Sequence, residues 1–306
     1  MKLKKILWIG VTAGFIPWAL CFRLSPSCAQ TKSKIQIVTT LFPLYDFTRH
    51  IGGDLVEVSL LVPPGVEAHA YEPKLRDIFR INQADIFIYT GKYMEPWVED
   101  ILKGVDNKNL AVIDASKGVS LIGGEGDRAG FDPHIWLDFS NARIMVDNIL
   151  AGLTGKDPLH QDFYKRNAQE YGQKLAELDE KFKQAFSACQ RHIFIYGGHP
   201  AFGYFAKRYG LTYLSPYQGF SPDAEPTPKA IMELVEKLKA NNLKYVYYEE
   251  LLSPKLAETI SRETGAGMLP LNGAHNVSKQ DLDAGVTFLS LMEENLDNLK
   301  EGLACR

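Results

Sequence analysis

The first half of the chain alternates short β-rich apolar runs with helical patterns. Ile35–Thr39 and Val56–Val62 read as strands, the second ending at Pro63-Pro64-Gly65. Pro73 to Ile81 reads as a helix with proline in its first turn. Asp85–Tyr89 and Leu110–Asp114 predict two more strands. A glycine-rich loop, Gly118 to Gly130, and a helix within Phe139–Leu153 follow. The second half repeats the pattern, with strands at His192–Tyr196, Tyr245–Tyr248 and Gly267–Leu271. Helices open at Thr227-Pro228 and Ser253-Pro254. Ser278 to Asp281 has the form of a capping box ahead of a final long helix. Strands alternating with helices imply an α/β fold with mainly parallel sheets flanked by helices. The stretches PKLRDIFRINQADIFIY and PKAIMELVEKLKANNLKYVYY read as one helix-to-strand unit used twice.

Between the halves the period changes. Tyr164, Ala168, Tyr171, Leu175, Leu178, Phe182 and Ala185 recur at spacings of four and three, and the intervening faces are rich in Lys, Glu, Gln and Asp. That is one amphipathic helix over about Pro158–Ser187. At 1.5 Å per residue it would extend roughly 45 Å, too far for an ordinary crossover. It reads as a single long rigid helix bridging two α/β lobes. The expected division is 30–156 for the first lobe, 157–188 for the bridge and 189–306 for the second lobe.

Residues 1–29 stand apart. Lys2, Lys4 and Lys5 precede an apolar run from Ile6 to Phe22, and small residues flank a cleavage position after Ala29. This is the layout of a secretory signal peptide. Attachment of lipid at Cys28 is the alternative, although Ser25-Pro26-Ser27 is a poor lipobox; a membrane anchor is a third reading. The expectation is an exported protein, periplasmic or lipid-anchored on the outer face of the cytoplasmic membrane. Removing residues 1–29 takes away four basic side chains and no acidic ones, so the formal charge of -3 becomes -7. Such a balance gives no long-range pull on nucleic acid. With 45% hydrophobic and 23% charged residues, a disordered or collagen-like chain is excluded. Cys189 and Cys305 remain, either as one disulfide or as two thiols.

Candidate chemistry lies in the histidines. In open α/β sheets ligands bind beyond the carboxyl ends of the strands. His69 follows the strand ending at Val62, His134 leaves the glycine-rich loop, His199 follows a strand through Gly197-Gly198, and His275 follows the last strand. One loop histidine means little. Four at equivalent strand ends, drawn from both halves, point to a divalent metal, because imidazole is a strong ligand for Zn²⁺ and later metals. His50, His160 and His192 lack this context and read as structural or surface residues.

The segments PGVEAHAYEPK, DPHIWLD, YGGHPAFGYFAKRYGL and SPKLAETISRETGA, with the long central helix, resemble the zinc/manganese solute-binding proteins of ABC importers, the ZnuA/TroA group. The resemblance runs over essentially the whole chain after residue 29. It implies two lobes joined by one helix, a metal held between them, and His69, His134 and His199 as ligands. Family members often supply an aspartate as the fourth ligand, whereas the corresponding loop here is Leu271–Asn276, without a carboxylate. His275 is the proposed fourth ligand; water, Asn272, Glu249 and Glu250 are the alternatives. The loop from Gly118 to Gly130 carries Glu125 and Asp127 but no histidine. Three or four imidazoles favour Zn²⁺ over Mn²⁺, which prefers more oxygen ligands. The implied role is capture of the ion by a monomer and delivery to a membrane permease of an ABC importer. An adhesive role is sometimes ascribed to such proteins. The competing reading is a zinc hydrolase with Glu67, Glu72 or Asp132 as general base, but no HExxH, GxSxG or P-loop pattern is present, so no enzymatic activity is expected. A binding protein for chelated iron is a further alternative, and the histidine set argues against it.

Overall fold

A computed structural model describes residues 34–123, 130–217, 219–220 and 225–306, with three isolated positions near the N-terminus. Apart from those three positions, the expected signal peptide with its cleavage site and Cys28 lies outside the described residues, as do Glu125 and Asp127.

The first half contains β1 (Ile35–Thr39), α1 (Phe42–Gly52), β2 (Val56–Leu60), α2 (Leu75–Gln83), β3 (Ile86–Tyr89), α3 (Val98–Lys103), β4 (Ala111–Asp114) and α4 (Phe139–Lys156). The long helix is α5 (Gln161–Ser187). The second half contains β5 (Ile193–Ile195), α6 (Gly203–Tyr209), β6 (Thr212–Leu214), α7 (Pro228–Ala240), β7 (Tyr245–Tyr248), α8 (Lys255–Thr264), β8 (Gly267–Pro270), α9 (Lys279–Asp283) and α10 (Phe288–Gly302).

The fold is α/β, with parallel sheets flanked by helices. The first sheet has the order β2-β1-β3-β4 with every neighbour parallel. In the second half β5 pairs with β6 and β7 with β8, again in parallel. A parallel bridge between Tyr196 and Tyr247 joins the two pairs, giving β6-β5-β7-β8. Both halves therefore run second, first, third, fourth. The helix-to-strand unit seen twice in the sequence falls on α2–β3 and α7–β7, the route into the third strand of each half.

Helix α5 is 27 residues long, about 40 Å. It buries Tyr164, Ala168, Tyr171, Leu175, Leu178 and Phe182 as the period predicts, and Phe186 in place of Ala185, which is only half-buried. This stripe packs on α1, α4, α6 and α10. Phe182 sits among Phe139, Phe186, Phe205 and Tyr209 with ring centroids 5.4–5.5 Å away. The main apolar core runs from the first sheet through α5 to Phe194, Tyr196, Tyr247 and α10. A smaller core, including Ile195, Leu234, Val246 and Ile260, lies between the second sheet and α7 and α8. Arg208 on α6 adds a polar tie, donating to Asp179 on α5 and to Asp138, the N-cap of α4. Cys189, just past α5, forms a disulfide with Cys305, just past α10.

Two expected helix starts move. Thr227 caps α7 as read, accepting from the Ala230 N–H. Ser253, however, does not cap α8, whose N-cap is Pro254. Ser278 is a genuine cap, but of the five-residue α9, which ends before Gly285 at φ +77. The final long helix restarts with a second cap at Thr287.

Candidate metal centre

Each of the four histidines leaves a carboxyl end of a strand. His69 lies between β2 and α2, His134 between β4 and α4, His199 just after β5 and His275 after β8. The structure brings all four together. The Nε2 atoms of His69 and His134 are 3.1 Å apart, those of His134 and His199 3.2 Å, and those of His199 and His275 3.2 Å. All four donor atoms lie within 4.8 Å of one another. A tetrahedron of nitrogens around zinc at its usual bond length has edges of roughly 3.3–3.4 Å, so the three close pairs are near that size. His134, His199 and His275 are buried, and His69 alone keeps partial exposure.

Behind the rings stand carboxylates. His134 Nδ1–H donates to Asp132 Oδ1 at 2.7 Å, and the same oxygen accepts the His134 backbone N–H at 3.0 Å. His199 repeats the device: Glu249 Oε2 accepts both its Nδ1–H at 2.9 Å and its backbone N–H at 3.0 Å. His275 Nδ1 lies 3.9 Å from Glu250 Oε1. A carboxylate on Nδ1 fixes the proton there and leaves Nε2 as a bare lone pair. Lone pairs on His134 and His199 then face each other at 3.2 Å, with the Nε2 atoms of His69 and His275 at 3.1 and 3.2 Å beside them. Such a cluster of imidazole nitrogens suits a shared cation.

Charge follows the same logic. Burial, and next the neighbouring imidazoles, hold His69 and His134 well below the ordinary histidine range, so both stay neutral. Burial also disfavours charge on His275, but the nearby carboxylate of Glu250, helped by Glu249 and Glu67, raises it instead. Burial, and next the charge of Glu250, push Glu249 upward, opposed by the charge of His275 and by the His199 backbone N–H that it accepts.

Two glycines permit the close packing. A Cβ on Gly198 would collide with Glu249 and with the Tyr196 ring, and one on Gly273 would strike the His275 imidazole. Trp136 lies edge-on to His134 and His275 and donates its indole N–H to the Gly273 carbonyl at 2.8 Å.

The other sequence candidates are occupied elsewhere. Asn272 Oδ1 accepts from the Ala274 N–H, and Glu250 accepts from the Gly273 N–H. Glu249 backs His199 instead of standing among the four donors. Asp132 is held against His134, Glu67 accepts from the Ala70 N–H, and Glu72 is exposed. His50 donates to the Asp46 carbonyl, His160 pairs with Asp157, and His192 is exposed, all apart from the cluster. The backing roles of Asp132 and Glu249 escaped sequence reasoning. The available signals were an aspartate two residues before His134 and a Glu-Glu pair directly after β7, at the same sheet end as His199.

Comparison with known proteins agrees with this geometry. Residues 37–302 match the family described as zinc-uptake complex component A, periplasmic. The high-affinity zinc uptake system protein ZnuA of Bacillus subtilis is 36% identical, over 95% of this chain and 97% of that one. The zinc-binding lipoprotein AdcA of Streptococcus pneumoniae is 35% identical, and this chain spans 59% of its length. The Zn(II)-bound ZnuA-like domain of AdcA superposes with a TM-score of 0.78 at 36% identity, covering 89% of this chain and 99% of that one. The laminin-binding protein Lmb of Streptococcus agalactiae, described as bifunctional with adhesin and metal-transporting activity, superposes with a TM-score of 0.80 at 31% identity, covering 89% of this chain and 100% of that one. These are solute-binding proteins rather than enzymes, and the chain belongs to the ZnuA family of zinc-uptake components.

Proposed function

We propose that this protein captures Zn²⁺ outside the cytoplasmic membrane, as a monomer, and delivers it to the permease of an ABC importer. The observation that carries the reading is the convergence of the His69, His134, His199 and His275 Nε2 atoms, two of them with Nδ1 protons assigned to carboxylates. An all-nitrogen set suits zinc, whereas Mn²⁺ favours oxygen donors. The lobes are taken as residues 30–156 and 189–306, each supplying two ligands, with 157–188 between them. The relatives named for zinc uptake and zinc binding support the same cargo, and the lipoprotein among them supports export. No helix among the described residues is long and apolar enough to cross a membrane. Zinc binds deprotonated imidazole, so affinity falls as acid protonates the ligands.

The test is titration of purified protein, residues 30–306, with Zn²⁺ and Mn²⁺ against a competing chelator. Tight zinc binding with weak manganese binding is expected, and single alanine variants at the four histidines should each weaken zinc strongly. Tight manganese binding without zinc binding overturns the cargo. Unchanged affinity in all four variants overturns the site.

A further inference from the structure

The segment Leu271–Val277, which carries His275, is shared between the two halves of the chain. Its beginning is tied to the second half. The Leu271 N–H donates to Tyr248, and Asn272 exchanges hydrogen bonds with the Asn295 side chain at 2.7 Å each way. Its end is tied to the first half. The Phe42 N–H donates to the His275 carbonyl at 3.2 Å, and the Gly65 N–H donates to Val277 at 2.8 Å. Between these ties Ala274 adopts φ +54, a left-handed conformation that costs energy for a residue with a Cβ.

Asn276 is the centre of the second set. It is 1% exposed and spends both amide protons on the loop that carries His69. Nδ2 donates to the Pro63 carbonyl at 2.7 Å and to the Val66 carbonyl at 2.9 Å. Its Oδ1 accepts the Val277 N–H at 2.9 Å, which fixes the amide's orientation. His69 is three residues beyond Val66 and is the one ligand with partial exposure. Among the described residues no carboxylate accepts from its Nδ1, unlike those holding His134 and His199.

We propose that Asn276 is a positioning residue for zinc capture: it clasps the His69 loop to the residue adjoining His275, so that these two ligands form as a pair. The inference rests on the zinc-binding reading above. Asn276 touches no metal; it acts on His69 by holding carbonyls 63 and 66 in place. Groups that bond and orient a ligand side chain directly change metal affinity by about 10–100-fold when removed, and a loss of the same order is expected here if the clasp sets where His69 stands.

A double-mutant cycle in the full exported chain tests it, with Zn²⁺ affinity read by chelator competition in wild type, Asn276→Ala, His69→Ala and the double variant. Asn276→Ala should weaken zinc binding by about 10–100-fold in the wild-type background. It should weaken it less than about threefold once His69 is gone, because coupling vanishes when the shared partner is removed. The visible absorption of Co²⁺-loaded Asn276→Ala should match that of Co²⁺-loaded His69→Ala. Equal losses in both backgrounds, or wild-type affinity in Asn276→Ala, overturn the proposal. If Asn276→Ala fails to fold, Asn276→Asp, which keeps the shape and the Val277 acceptor, is read in the same cycle. Wild-type affinity in His69→Ala would instead overturn the site assignment itself.

Discussion

The carboxylate behind His134 offers a quantitative test of how the site is built. Asp132 Oδ1 accepts two hydrogen bonds from the residue it serves, one from the ring and one from the backbone, and both partners are buried. Asp132→Asn keeps an oxygen able to accept both, but removes the charge. A charge-assisted bond is roughly twice as strong as a neutral one, so the loss is about 1–1.5 kcal/mol, or roughly tenfold in zinc affinity. Asp132→Ala removes charge and acceptor together. It frees the ring to rotate and to place its proton on Nε2, and the expected loss rises towards 100-fold. Competition between the protein and a fluorescent zinc chelator at neutral pH measures both. The order wild type, Asn, Ala must hold. An Ala variant within about threefold of wild type would refute the argument that the ring's proton is assigned by this carboxylate.

Three further outcomes follow from the fold. Glu95 is buried, accepting from Thr40, Thr90 and Gly91, and burial raises it from the ordinary 4.5 to about 7. A group raised on folding contributes fully below its unfolded pKa and loses that contribution as pH rises. Urea melts of zinc-free protein should therefore lose up to ~3 kcal/mol between about pH 4.5 and 7, and Glu95→Gln should flatten that slope. The Cys189–Cys305 disulfide closes a loop with a sequence separation of 116, so Cys189→Ser/Cys305→Ser should lower stability by up to ~5 kcal/mol in denaturant melts; a loss below ~1 kcal/mol would show that loop closure is not what it contributes. Phe182→Ala should cost ~3–5 kcal/mol by emptying the aromatic cluster under α5, and a loss under ~1 kcal/mol would mean that the cluster collapses to fill the space.

The apolar runs made most of the strands legible, because buried parallel strands are nearly continuous in apolar residues, but the three-residue β6 was too short to stand out. β1 and β7 fall where the runs place them. The stripe of α5 was equally readable over its first six positions, since one face of a long helix repeats many times. Short helices were not. α6 has seven residues, less than two full turns of pattern, and α1 begins directly after a strand with no side-chain cap. Ser278 shows that a capping box marks a helix start without fixing the length of the helix it starts. The histidines were legible because position after a strand is a statement about topology. The contacts of Asp132, Glu249 and Asn276 were not, because each depends on which loops meet in space. Asn276 contacts residues more than 200 positions away in the chain.

The repeated strand order has a consequence for how tightly an ion can be held. Each half contributes two imidazoles, and a two-nitrogen fragment on its own would be a weak, exchangeable chelator. Because the main core runs unbroken from the first sheet through α5 into the second half, an ion touched by the first pair of nitrogens would meet the second at a high effective concentration. That concentration is set by packed side chains rather than by the reach of a flexible linker. Core substitutions far from any ligand should therefore act on the ion through the geometry of two cooperating fragments.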